Sequence, residues 1–172
     1  MNSRGLAEVL KKTYLFALKN RQGMSTPTAD IKEYLDFFFF LSLQEDVGDG
    51  DHTSLACIPA DAQSKARLYV KDPGVMAGMD VAAYIFEYVD PSSTFTPLVK
   101  DGQPVSYGDV AFEVACNAQA LLRAERLVLN TMQRMMGIAT QSNRFQFEVE
   151  DLDVTILDTR KTTPLIRPLE KL

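Results

Sequence analysis

Asp158-Thr159-Arg160-Lys161-Thr162-Thr163-Pro164 sets two cations and three threonine hydroxyls directly behind an apolar, β-branched run, Val154-Thr155-Ile156-Leu157. A guanidinium meets a carboxylate or phosphate as a planar fork, and a lysine ammonium adds a mobile point charge. Together at the C-terminal end of a strand they make an anion site. In barrels of alternating strands and helices, that end of the strand carries the active site. Taken alone, the same residues also suit a solvated basic turn.

A second polar set lies upstream. Arg126, Asn130, Gln133 and Gly137 follow one another at intervals of four, three and four, which places them on one stripe of a helix. Leu121, Ala124, Val128, Met132 and Met135 form a separate apolar stripe that faces a core. Asn is a weak helix former. Asn and Gln around an arginine, ending on glycine, suit close contact with a partner as well as they suit a wet face.

Other chemistry is poorly provided for. His52 is the only histidine, and Gly50, Asp51 and Thr53 around it give a polar loop. Cys57 and Cys116 form neither a CxxC pair nor a zinc spacing. They read as reduced thiols of a cytoplasmic protein. A transition-metal site and a Ser-His or Cys-His engine are therefore not expected. The formal net charge of -5 argues against a nucleic-acid binder that works through bulk charge, but not against a small cationic pocket for an anionic metabolite. The apolar run Tyr34 to Leu43 carries Asp36 and is half the roughly 20 residues that a membrane span needs, so no membrane association is expected.

The elements that must position these groups are helical and extended by turns. Ser25 to Asp30 reads as a helix entry and Ile31 to Leu43 as the helix. Glu45 to Thr53 is a Gly- and Asp-rich loop. Ala66 to Val70 alternates as a strand, Val75 to Gly78 is extended, and Met79 to Val89 has helical spacing. Thr94 to Val99 is a strand that Pro97 confines to an edge. Lys100 to Pro104 is a turn, Ala111 to Ala115 a strand, Ala118 to Gly137 a long helix, and Val154 to Leu157 an isolated strand. Residues 1–23 carry five basic residues against Glu8 and suit a basic amphipathic helix on the surface or, as a second reading, an organellar transit peptide; Met24 is an alternative start. A chain of 172 residues can bury a core without staples. The pattern is α+β, leading into something unfinished.

Glu45 to Thr53, Gly74-Val75-Met76-Ala77-Gly78, Asp101-Gly102, Glu125 to Asn130, Gly137-Ile138-Ala139-Thr140, Asp158 to Pro164 and Arg167 to Lys171 resemble, in order, the quinolinate phosphoribosyltransferases. The resemblance covers about residues 28–171. It implies an α+β N-terminal sandwich over residues 28–140, after an extension at 1–27. Residues 141–172 would then hold the first strand of an incomplete β/α barrel. It implies transfer of a phosphoribosyl group from phosphoribosyl pyrophosphate to quinolinate with loss of carbon dioxide, giving nicotinate mononucleotide for NAD synthesis. It further implies a homodimer, or a higher oligomer, with shared active sites. Arg126 would hold quinolinate in the partner's site, while Thr159, Arg160 and Lys161 hold it from the barrel side, with Lys161 also near the donor. No covalent nucleophile is implied.

Leu165 stands where the family usually has glycine, and Met136 where it has serine. The family continues into a glycine-rich His-Arg motif, a further lysine and acidic ligands for the Mg2+ that accompanies the donor. None lies within these residues. The chain therefore reads as a C-terminally truncated member, inactive by itself. Two other readings stand beside this one: a non-catalytic dimerising module, and a phosphoribosyltransferase-like protein associated with molybdate transport.

Overall fold

The computed structural model describes residues 28–172, with side chains from Ile31 onward, so the readings made on residues 1–27 lie outside the described residues. The chain divides into two units, Met1–Tyr34 and Leu35–Leu172. The second holds every candidate site residue.

Helix α1 spans Thr28–Val47 and the one-and-a-half-turn α2 spans His52–Cys57. Strands β1 (Gln63–Tyr69) and β2 (Gly74–Val75) precede α3 (Met79–Val89). Strands β3 (Thr94–Pro97), β4 (Pro104–Val105) and β5 (Val110–Asn117) then lead into the long α4 (Ala118–Glu148), and the short α5 spans Arg167–Lys171.

The sheet is antiparallel in the order β1-β5-β3, so β3 lies at an edge and Pro97 removes no donor that an inner ladder needs. In the β1–β5 register Ala66 faces Val114 and Leu68 faces Phe112, while Arg67 faces Glu113 on the other side and pairs with it at 2.7 Å. The period of two thus separates a core face from a wet face. Phe86 of α3, Phe95 of β3 and Phe112 of β5 stack with centroids 4.6–6.1 Å apart. Met76, Ile85, Ala124, Val128, Met132 and Met135 complete the buried core, which includes four of the five residues of the apolar stripe on α4. Asp36, the one charge in the apolar run, accepts a hydrogen bond from the Tyr84 hydroxyl. Burial first, and Asp36 second, push that phenol's pKa up.

Two expectations are corrected. The run Val154 to Leu157 is not a strand: its residues are exposed and form no ladder. A parallel barrel strand is buried on both faces and bonded on both edges, and no neighbouring strand is present among the described residues. The α4 helix also does not stop at Gly137 but continues to Glu148. A single glycine costs a helix about 1 kcal/mol, too little to end one whose preceding turns are anchored in the core.

Smaller differences sit at boundaries. α2 starts inside the expected loop because the Asp51 carboxylate accepts from the Ser54 backbone N–H at 3.1 Å and from its hydroxyl, capping the helix. The Ser54 hydroxyl, first among causes, holds that carboxyl below its ordinary pKa. β4 pairs with β2 where a turn was expected.

Candidate active site

Several of the shared motifs turn out to build the scaffold. The Asp101 carboxylate accepts from the backbone N–H of Gly78 at 3.0 Å and of Met79 at 3.1 Å, which caps α3 where no side chain of its own does. Gly78 has φ +95 and lies against Met135, so a side chain there would be strained and would collide. A Cβ on Gly74 would lie 2.7 Å from the Thr140 hydroxyl, which itself accepts from the Val75 N–H at 2.9 Å. The glycines of the GVMAG run, Asp101 and Thr140 therefore lock β2 and the start of α3 onto α4.

Away from the buried Met132 and Met135, α4 presents the Arg126 stripe. Arg126, Asn130, Gln133 and Gly137 are all exposed. Arg126 and Asn130 line an open hollow of about 340 Å³, together with Arg134 one turn further on; its other walls are Phe38, Ser42, Glu45 and Asp46 of α1 and Ile166 and Leu169 beside and on α5. Gln133 and Gly137 do not line it. The stripe that lines the hollow thus runs 126, 130, 134, and sequence reading missed Arg134 because the spacing was followed through Gln133. Arg126 forms an ion pair with Asp46, Nε to Oδ1 at 2.7 Å, with the arginine side chain 71% exposed. This is a restrained but accessible guanidinium.

Thr159, Arg160 and Lys161 are exposed. The Thr159 hydroxyl accepts from the Lys161 N–H at 3.0 Å, a local turn that sets the two cations on a common bend. Arg167 of α5 donates to the Thr162 hydroxyl at 2.9 Å and to the Arg160 carbonyl at 3.2 Å. Lys171 meets Asp158 at 2.5 Å. The loop therefore faces solvent with its cations and is tied underneath by α5. None of Thr159, Arg160 and Lys161 lines the hollow that Arg126 lines. Within one chain the four predicted residues fall into two groups.

His52 is exposed and lies 3.4 Å from Asp49, a surface contact. Cys57 is exposed and Cys116 buried, both unpaired, and burial pushes the Cys116 thiol up. Among the described residues no three His, Cys, Asp or Glu side chains gather as a metal ion held by the protein alone would require. Among them, too, no helix is long and apolar enough to cross a membrane.

Known proteins share this chain's sequence and fold. A family model described as the quinolinate phosphoribosyl transferase N-terminal domain matches residues 51–136, and the C-terminal domain model of the same family matches residues 138–172. The chain is 41% identical over 146 residues to quinolinate phosphoribosyltransferase [decarboxylating] 1b of Nicotiana tabacum, covering 84% of this chain and 40% of that protein. It is 40% identical to the chloroplastic nicotinate-nucleotide pyrophosphorylase [carboxylating] of Arabidopsis thaliana, covering 86% and 41%. The crystal structure of NadC from Streptococcus pyogenes superposes with a TM-score of 0.75 at 34% identity, covering 80% of this chain and 50% of that one. The chain spans about two fifths of the length of the curated relatives it matches. By motif order, by its α+β domain and by both family models, it belongs to the quinolinate phosphoribosyltransferase family.

Proposed function

We propose that this chain contributes the anion-gripping groups of a site that transfers a phosphoribosyl group from phosphoribosyl pyrophosphate to quinolinate. The pyridine nitrogen forms the new bond to the sugar, pyrophosphate leaves, and carbon dioxide follows, giving nicotinate mononucleotide for NAD synthesis. Quinolinate is a dianion and the donor carries a phosphate and a pyrophosphate, so the site must be cationic. Arg126, Arg160 and Lys161 are the cations this chain offers, with the Thr159 hydroxyl beside them. Positioning and electrostatic stabilisation carry the catalysis.

The observation that carries the reading is that the exposed Arg126 lines the hollow while the exposed Thr159–Lys161 bend of the same chain does not. A homodimer in which Arg126 enters the partner's site brings them onto one dianion. Mg2+ belongs to the reaction as the companion of pyrophosphate, with no ligand assigned here. By itself the chain binds without turnover, and nicotinate mononucleotide formed above a no-protein control would contradict that. The two unpaired cysteines support a reducing compartment, which we take to be the cytoplasm, although several relatives are named chloroplastic or mitochondrial. A fluorescent fusion found in an organelle would correct it.

The test is calorimetric titration of the purified chain with quinolinate and, separately, phosphoribosyl pyrophosphate. Arg126→Ala should weaken quinolinate binding about 10- to 150-fold, the equivalent of one charge-assisted pair, and leave the donor nearly unchanged. Arg126→Lys should restore only part, since lysine cannot form the fork. Lys161→Ala should weaken both ligands. Equal losses for both ligands in Arg126→Ala would overturn the assignment.

A further inference from the structure

Arg134 is a cation on the same stripe as Arg126 and lines the same hollow, yet its guanidinium is already occupied. Its Nε and Nη2 donate to Glu170 Oε1 at 2.9 and 2.5 Å, and Nη2 also donates to the Thr163 hydroxyl at 3.1 Å. The other carboxylate oxygen of Glu170 accepts from the Thr163 backbone N–H at 3.0 Å. The Glu170 side chain is 5% exposed, whereas that of Arg134 is 53% exposed. One shielded carboxylate therefore joins three things: the α4 helix, the short α5, and a loop residue two positions after Lys161. The remaining charges of α5, Arg167 and Lys171, bond the same loop at Arg160, Thr162 and Asp158. A helix of five residues is not stable alone. Its three charged side chains all hold the loop.

We propose that Glu170 and Arg134 are positioning residues: they clamp Thr163 to α4 and so fix the bend that presents Arg160 and Lys161, with Arg134 serving as an anchor and not as a substrate ligand. This rests on the proposed function, because what it positions is the quinolinate grip. Held cations lose less freedom when the dianion arrives, and preorganisation of that kind appears as affinity.

The test compares the wild-type chain with Glu170→Gln, Arg134→Ala, Arg134→Lys and the double variant Arg134→Ala/Glu170→Gln. Amide exchange at Thr163 and calorimetric quinolinate affinity are both read. Exchange protection across β5 controls for folding. Glu170→Gln should speed Thr163 exchange and weaken quinolinate binding, each about fivefold, while β5 protection is unchanged. Arg134→Ala should do the same, the double variant should be no worse than either single one, and Arg134→Lys should recover part of both. A purely structural role would lower β5 protection in step with affinity, and that result overturns the proposal. So does faster Thr163 exchange with unchanged affinity, or additive losses in the double variant. Should the wild-type chain fail to bind quinolinate, the functional reading falls, and Thr163 exchange alone then decides whether the clamp exists.

Discussion

Leu165 is the one non-glycine residue at positive φ among the described residues, at +69, between Pro164 and the start of α5. The glycine that the family resemblance sets at this position has a physical reason: an L side chain in the left-handed region costs about 1–2 kcal/mol. Replacing Leu165 directly by glycine would mix that relief with the loss of whatever the leucine covers, though it is 71% exposed. Comparing Leu165→Ala with Leu165→Gly removes the ambiguity, because neither retains the side chain beyond Cβ. Glycine escapes the strain but has more freedom to lose from the unfolded chain, worth about 0.4–1 kcal/mol. The glycine variant should therefore be the more stable of the two by about 0.5–1 kcal/mol, the reverse of the order at an ordinary loop position. The loop's local opening, followed by amide exchange at Thr163 and Glu170, should then be about two- to fivefold slower in the glycine variant. Equal exchange, or slower exchange in the alanine variant, would refute the assignment of strain to this residue.

Three further outcomes follow from the same contacts. Asp46→Asn should tighten quinolinate binding by up to about fivefold, because a solvent-exposed ion pair worth up to about 1 kcal/mol no longer competes for Arg126; calorimetry showing weaker binding would make Asp46 a support for that guanidinium. Hydrogen bonds from Thr163, then from Arg134, hold the Glu170 carboxyl below its ordinary value of 4.5, so the clamp is fully present above that pH and is lost as pH falls through the lowered value. Carboxyl chemical shifts should titrate with a midpoint under 4.5, and a midpoint above it contradicts the geometry. Amide exchange over Val154 to Leu157 in a demonstrated monomer should show little protection, since those residues form no ladder.

Helix α3 and the edge position of β3 were legible because the signal for each is local: a 3.6-residue period in Met79–Val89, and Pro97 in a short extended run. The apolar stripe of α4 was legible for the same reason. The segment around Val154 was misread because its β-branched composition describes what it would do beside other strands. Arg126, Thr159, Arg160 and Lys161 stand out by residue type and spacing and take their roles from motif resemblance, and all four lie on the exposed surface, where an anion could reach them. Asp46, Arg134 and Glu170 escaped notice because their partners are distant in sequence, with Arg134 and Glu170 36 residues apart. Strain at Leu165 was also invisible, for a side chain's identity does not state its φ.

On the proposed function, Arg126 of one subunit and the Thr159–Lys161 bend of another grip one quinolinate. Mixing Arg126→Ala chains with Lys161→Ala chains, and counting tight quinolinate sites by calorimetry after subunit exchange is confirmed, tests it directly. Each variant alone should lack tight sites. In a randomly mixed population half the dimers are hybrid, and each hybrid has one site with both defects and one intact site. Tight sites should therefore return to about a quarter of the wild-type number. No recovery in a confirmed hybrid population would mean that Arg126 acts within its own chain, and the shared-site account would be wrong.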